Sequence, residues 1–148
     1  MEALSKAAKE LEEIYREEFL GLALFGSWAR GEAEPDSDID VFIILNSLSG
    51  FEVRSKIYGV IASKVSRPVT LIDARLSDVS KEELEVTPLL LNILYDAIIV
   101  YDRLGILREL VEDVRRLIEK AKLTRYRTPD GKYGWKKIDD KALEPIEV

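Results

Sequence analysis

Two carboxylates stand at alternate positions where an apolar run begins, in Asp36-Ser37-Asp38-Ile39-Asp40-Val41-Phe42-Ile43-Ile44-Leu45. A strand presents alternate residues to opposite faces. From Val41 onward both faces of this segment are apolar, which predicts a central strand covered on both sides and therefore a layered α/β domain. Asp38 and Asp40 project together, with Ile39 and Val41 on the opposite face. Charges that lead into a buried run are costly unless paired. Two adjacent carboxylates repel unless one is protonated or a cation bridges them. A hard ion such as Mg²⁺ is the natural bridge, and it brings polyphosphate with it. A calcium-binding loop also begins D-x-D-x-D, but it needs glycine sixth and glutamate twelfth; counted from Asp36, those places hold Val41 and Ser47. Asp36 itself suits a solubilising acidic turn.

Upstream lies Gly26-Ser27-Trp28-Ala29-Arg30-Gly31, directly after the apolar segment Phe19 to Phe25. Glycine lets backbone approach a ligand closely, and a following helix start offers unpaired N–H groups to an anion. Ser27 can add a hydroxyl hydrogen bond, and Arg30 can reach a phosphate. The plain alternative is a strand-to-helix turn with Arg30 solvated or paired to Glu34 or Asp36.

Helical and strand patterns alternate along the rest of the chain. Residues 3 to 18 read as an amphipathic helix, 19 to 25 as a strand, 38 to 45 as the second strand and 50 to 64 as a helix. Pro68 to Ile72 reads as the third strand. Ser80 with Glu83 forms a capping box, and Thr87-Pro88 opens a helix that runs to about Tyr95. Ala97 to Tyr101 is the fourth strand, and Ile106 to Leu123 a long amphipathic helix. From Thr124, Tyr126, Pro129-Asp130-Gly131, Tyr133 and Trp135 predict a hairpin. The expected organisation is a domain over 1–123 with a C-terminal hairpin extension, 124–148, packed on it.

Composition narrows the chemistry. The chain has 148 residues, with no cysteine and no histidine. Thiol catalysis is therefore excluded, and acid–base or metal work falls to Asp and Glu. A net charge of −6 argues against general nucleic-acid binding. No apolar run is long enough for a membrane span, and the charged N-terminus does not read as a secretory signal. A cytoplasmic protein with no membrane partner is expected. The absence of glutamine, with only two asparagines amid many Glu, Lys and Arg, leans toward a thermophile.

The turn and the acidic pair together are more specific than either alone. Gly26-Ser27, ten residues, then Asp38-x-Asp40 resembles the signature of the DNA polymerase β-like nucleotidyltransferase superfamily, above all its small stand-alone members, the minimal nucleotidyltransferases. Leu91 to Gly105, with Tyr101-Asp102-Arg103 after an apolar strand, is similar to the same group. The resemblance implies a small mixed sheet of four or five strands flanked by helices. It implies that Gly26 and Ser27 bind the triphosphate of ATP, that Arg30 touches phosphate or braces the loop, and that Asp38 and Asp40 hold two Mg²⁺ ions. The activity implied is transfer of a nucleoside monophosphate, AMP from ATP, to a hydroxyl. It also implies a partner, a HEPN-domain protein neutralised as the toxin of a toxin–antitoxin pair; self-association is the other source of an acceptor surface.

The resemblance further implies a third carboxylate on the strand Val69-Thr70-Leu71-Ile72-Asp73. The matching position falls near Thr70, which is uncharged, and Asp73 is the nearest substitute. A regular strand aims Asp73 at the opposite face, whereas a bent strand end brings it back; its other role is to cap the turn toward Ala74 and Arg75. If neither residue serves, a non-catalytic module that binds nucleotide or masks a partner is the alternative function. The bases around Tyr126, Tyr133 and Trp135 suit either RNA stacking or a hairpin that buries its aromatics and leaves its charges in water.

Overall fold

The computed structural model describes residues 2–80 and 87–138, together with the backbone of Pro145–Ile146. Helix α1 (Glu2–Tyr15) and a 3-10 turn (Arg16–Glu18) lead into β1 (Phe19–Phe25), followed by the short helix α2 (Gly26–Arg30) and β2 (Ile39–Leu45). Then come α3 (Phe51–Val65), β3 (Val69–Arg75), the single turn α4 (Leu76–Val79), α5 (Pro88–Asp96), β4 (Ile98–Asp102) and α6 (Ile106–Lys120). Strands β5 (Leu123–Arg127), β6 (Tyr133–Lys137) and β7 (Pro145–Ile146) close the chain.

The main sheet has the order β3-β2-β1-β4. β1 pairs antiparallel with β2 and β4, and β2 pairs parallel with β3, so the sheet is mixed, as expected. On one face Leu4 and Leu11 of α1 and Ile57 and Ile61 of α3 pack on Leu22, Leu24, Val41 and Ile43. On the other, Leu91 and Leu94 of α5 and Leu107 and Val111 of α6 pack on Ala23, Phe42 and Ile44. β1 is buried throughout, and Asp40 is the single residue of β2 that is not. The sandwiched central strand expected from Val41 to Leu45 is present because both of its faces are needed to bury helices.

Several boundaries differ from the pattern-based ones for physical reasons. The first helix stops at Tyr15, and Arg16 turns to a positive φ of 53°. This frees Glu18, whose carboxylate accepts the Ser47 and Leu48 N–H groups at 3.1 Å each and so ties the end of β2 to the start of β1. β3 runs to Arg75, beyond Ile72, since Asp73 and Arg75 satisfy each other's charge within the strand. Thr87 caps α5 by accepting the Leu90 N–H at 3.1 Å, with Pro88 in the first turn as expected. The Ser80–Glu83 capping box lies outside the described residues. Asp102 accepts the N–H groups of Leu107 and Arg108, at 2.8 and 2.9 Å, and so starts α6. Among the described residues, no helix is long and apolar enough to cross a membrane.

The hairpin forms a second sheet, β5-β6-β7. Its Trp135 is 1% exposed and joins the α5/α6 core. The indole donates to Asn92 Oδ1 at 2.9 Å and meets the Tyr95 ring edge-on at 5.2 Å. Trp135 thus docks the hairpin on α5, while Arg125 of the same hairpin is 15% exposed and paired with Asp96 rather than left in water.

Candidate active site

β2 carries Asp40 into the sheet, and the residue before Ile39, Asp38, stands exposed at the strand mouth. The loop that delivers Asp38 is fixed from several sides. Trp28 Nε1 donates to the Ser37 carbonyl at 3.1 Å, Ile39 N–H donates to Pro68 O at 2.9 Å, and Arg67 donates to Pro35 O. Arg67 also stacks 4.7 Å from the centre of the Trp28 ring.

Between the two acids sits Thr70, opposite Asp40 in the parallel register. Its hydroxyl donates to Asp38 Oδ2 at 3.3 Å and also engages Asp40. Burial pushes the Asp40 carboxyl above its ordinary value, and the neighbouring charge of Asp38 pushes the same way; the Thr70 hydroxyl and Arg30 act against the rise. A cation between these groups would relieve both the burial and the repulsion. Mg²⁺ needs only one or two carboxylates when substrate phosphates and waters complete its shell. Asp38 and Asp40, with the Thr70 hydroxyl beside them, fit that requirement.

Gly26 meets Asp40 directly. Its φ is +76°, and a Cβ there would overlap Asp40 Oδ2 and lie 2.9 Å from Cγ. The glycine is therefore required twice, for its left-handed backbone and for the room it leaves the carboxylate. Ser27 follows on α2, half-buried, with its carbonyl accepting Gly31 and Glu32 N–H groups as the helix ends.

Arg30 is engaged inside the protein, and by partners other than Glu34 or Asp36. Its Nε pairs with Glu32 and its NH1 with Asp96, each at 2.9 Å, while its guanidinium lies 4.5 Å from the centre of the Tyr133 ring. Asp96, 5% exposed, also holds Arg125 at 2.9 Å. These contacts tie the end of α2 to α5 and to the hairpin.

The expectation that Asp73 joins Asp38 and Asp40 is corrected by the structure. Asp73 pairs with Ile43 in register and shares the face covered by α1 and α3, where Arg54 and Arg75 clasp its carboxylate. The strand stays regular, so alternation carries Asp73 away from Thr70. Among the described residues no third Asp, Glu, His or Cys completes a metal-holding group. Asp73→Asn is accordingly expected to lower stability by about 1–2 kcal/mol, since two arginines lose their counter-charge. Thermal melting checks this, and Mg²⁺-dependent ATP affinity should stay at the wild-type value; a loss of affinity without a loss of stability would contradict the placement.

A cleft of about 490 Å³ opens beside Asp40 and Gly26. Asn92 and Asp96 of α5 line it, as do Tyr126 and Lys132 of the hairpin. Pattern reading passed over Asp96. Its signal was an acid at the C-terminal end of an apolar helix, where the helix dipole disfavours negative charge and a cationic partner is required.

A family profile described as the nucleotidyltransferase domain matches residues 4–101, more than half of the chain. The chain belongs to this nucleotidyltransferase family. Within it, a protein of Methanocaldococcus jannaschii named as a candidate protein adenylyltransferase is 30% identical over 66 residues. That match covers 45% of this chain and 66% of the relative, just under two thirds of its length. Among solved structures, a toxin–antitoxin crystal with AMP-PNP superposes with a TM-score of 0.56 at 15% identity, covering 78% of this chain and 87% of the other. Spectinomycin adenyltransferase from Enterococcus faecialis, crystallised with ATP and spectinomycin, gives 0.54 at 18% identity over 82% of this chain and 65% of its own. At these identities the two structures establish the fold of the nucleotidyltransferase domain.

Proposed function

We propose that this nucleotidyltransferase domain is a Mg²⁺-dependent enzyme that transfers AMP from ATP to a hydroxyl of a protein acceptor and releases pyrophosphate. The observation that carries the reading is the packing of Gly26 against Asp40, with Asp38 beside it and a nucleotide-sized cleft adjoining. Asp38 and Asp40 would hold the metal. Bound there, Mg²⁺ would neutralise the triphosphate and stabilise the departing pyrophosphate. Gly26 and the Ser27 N-terminus of α2 receive the phosphates, and Arg30 holds the loop in register through Asp96 and Glu32. The acceptor oxygen forms its bond to the α-phosphorus as the bond to the α–β bridging oxygen breaks; the bridging oxygen leaves with pyrophosphate and the hydroxyl proton passes to water.

The name of the Methanocaldococcus relative supports a protein as acceptor, and the toxin–antitoxin crystal supports a toxin as that partner; the family resemblance makes it a HEPN-type protein that supplies the modified residue. A second copy of this chain is the other source of an acceptor surface, and the work would take place in the cytoplasm. The test is incubation with ATP labelled on the α-phosphate, Mg²⁺ and a co-expressed HEPN-type protein. Label on the partner that depends on Mg²⁺ is the expected result.

One observation favours a second reading. Thr70 stands where a third carboxylate would complete the set, and its hydroxyl already occupies Asp38. On that reading the protein binds nucleotide and masks its partner without transferring anything. ATP binding without label transfer to any acceptor would select it.

A further inference from the structure

We propose that the β5–β6 hairpin forms one wall of the nucleotide site and that Lys132 at its tip binds the triphosphate. The inference rests on the nucleotidyltransferase reading above and adds a residue outside the matched family region, which ends at residue 101. The cleft that begins at Gly26 and Asp40 is bounded on its far side by Tyr126, Thr128, Gly131 and Lys132. The hairpin is therefore part of the site's shape, and its docking on α5 fixes that shape.

Charge selects the lysine. Arg30 and Lys132 are the basic residues lining this cleft. Arg30 is already committed to Asp96 and Glu32, and Arg125 behind it to Asp96. A magnesium-bound triphosphate keeps net negative charge, and it approaches a chain whose own net charge is −6. Lys132 is exposed on the cleft wall. Its nearby acid, Asp130, accepts from the Thr128 hydroxyl, which, with smaller contributions from the Lys132 N–H and the Lys132 charge, holds the Asp130 carboxyl below the usual carboxylate range.

The tip is built rather than loose. Thr128 N–H donates to Lys132 O at 2.8 Å, Gly131 N–H to Thr128 O at 2.9 Å, and Lys132 N–H to Thr128 Oγ1 at 3.0 Å. In the middle of β6 the buried Trp135 anchors the strand, and Tyr133, next to Lys132, donates its hydroxyl to Glu32 at 2.9 Å, beside Arg30. The hydroxyl end of the Tyr126 ring lies against Gly134, where a Cβ would overlap it, and Tyr126 lines the same wall. This frame fixes the backbone of Lys132 at the cleft wall, so its ammonium reaches a phosphate without the hairpin first being ordered.

The test is calorimetric titration of the full chain with Mg²⁺ and a non-hydrolysable ATP analogue, using Lys132→Ala, Lys132→Glu and Lys132→Arg. Affinity should fall about tenfold in the alanine variant, further in the glutamate variant, and stay within about twofold in the arginine variant. Their melting temperatures should match the wild type, because the tip's hydrogen bonds use the backbone of Lys132. Wild-type affinity in Lys132→Glu overturns the proposal, as does an equal loss in all three variants. If the analogue also binds Asp38→Asn/Asp40→Asn normally, the nucleotide-site reading itself has failed. If that double variant loses binding while Lys132→Glu keeps it, the lysine assignment alone falls.

Discussion

Replacing Asp38 and Asp40 together with asparagine is expected to abolish Mg²⁺-dependent ATP binding while leaving the protein folded. Asparagine keeps the shape of both side chains and removes both charges. A divalent ion then loses its carboxylates, and Thr70 cannot replace them. Transfer should fall by at least ~10³-fold, the consequence of losing several kcal/mol of charge stabilisation. Stability should hold or rise slightly, because burial and the neighbouring Asp38 both work against an ionised Asp40. Titration of ATP with and without Mg²⁺, paired with a melting curve, reads both effects. Undiminished metal-dependent binding in a folded double variant would end the assignment of these two residues.

Gly26→Ala is expected to have the second largest effect, and Gly31→Ala supplies its control. Both glycines have left-handed backbones, with φ of +76° and +73°. An alanine at either place costs roughly 1–2 kcal/mol in backbone strain. At Gly31 the added methyl meets nothing within 4 Å, whereas at Gly26 it overlaps the Asp40 carboxylate. The strain is thus shared and the collision is not. Asp40 must rotate away in the Gly26 variant, and a misplacement of about 1 Å is enough for a ~10²-fold loss of activity. Gly31→Ala should lose a comparable amount of stability and keep Mg²⁺–ATP affinity. Equal affinities in the two variants would show that Gly26 matters only for its backbone.

Legibility followed the physics of each element. β1 and β2 were readable because a strand buried on both faces must be apolar throughout, and the interruption at Asp40 marked the site. Alternation along β3 already argued against Asp73. What settled the matter was Arg54, which sits on α3 far along the chain and left no local trace. Arg30 posed the same problem, since its partner Asp96 lies 66 residues away. The hairpin was visible as a hairpin from Pro129-Asp130-Gly131. Its place against the cleft was not, because Trp135 finds Asn92 only through the packing of α5. Local periodicity reveals elements and their faces; ion pairs between distant elements need the tertiary fold.

Asp96 joins an arginine at the end of α2 to an arginine from the hairpin, across the end of α5. That junction makes the C-terminal appendage difficult to exchange. A chimaera that borrowed another chain's tail without a cation in register with Arg125 would strand half of a two-sided clasp and slacken the loop at its far end. Lineages diversifying the tail would have to alter positions 30, 96 and 125 in concert, a linkage that ancestral reconstruction could trace.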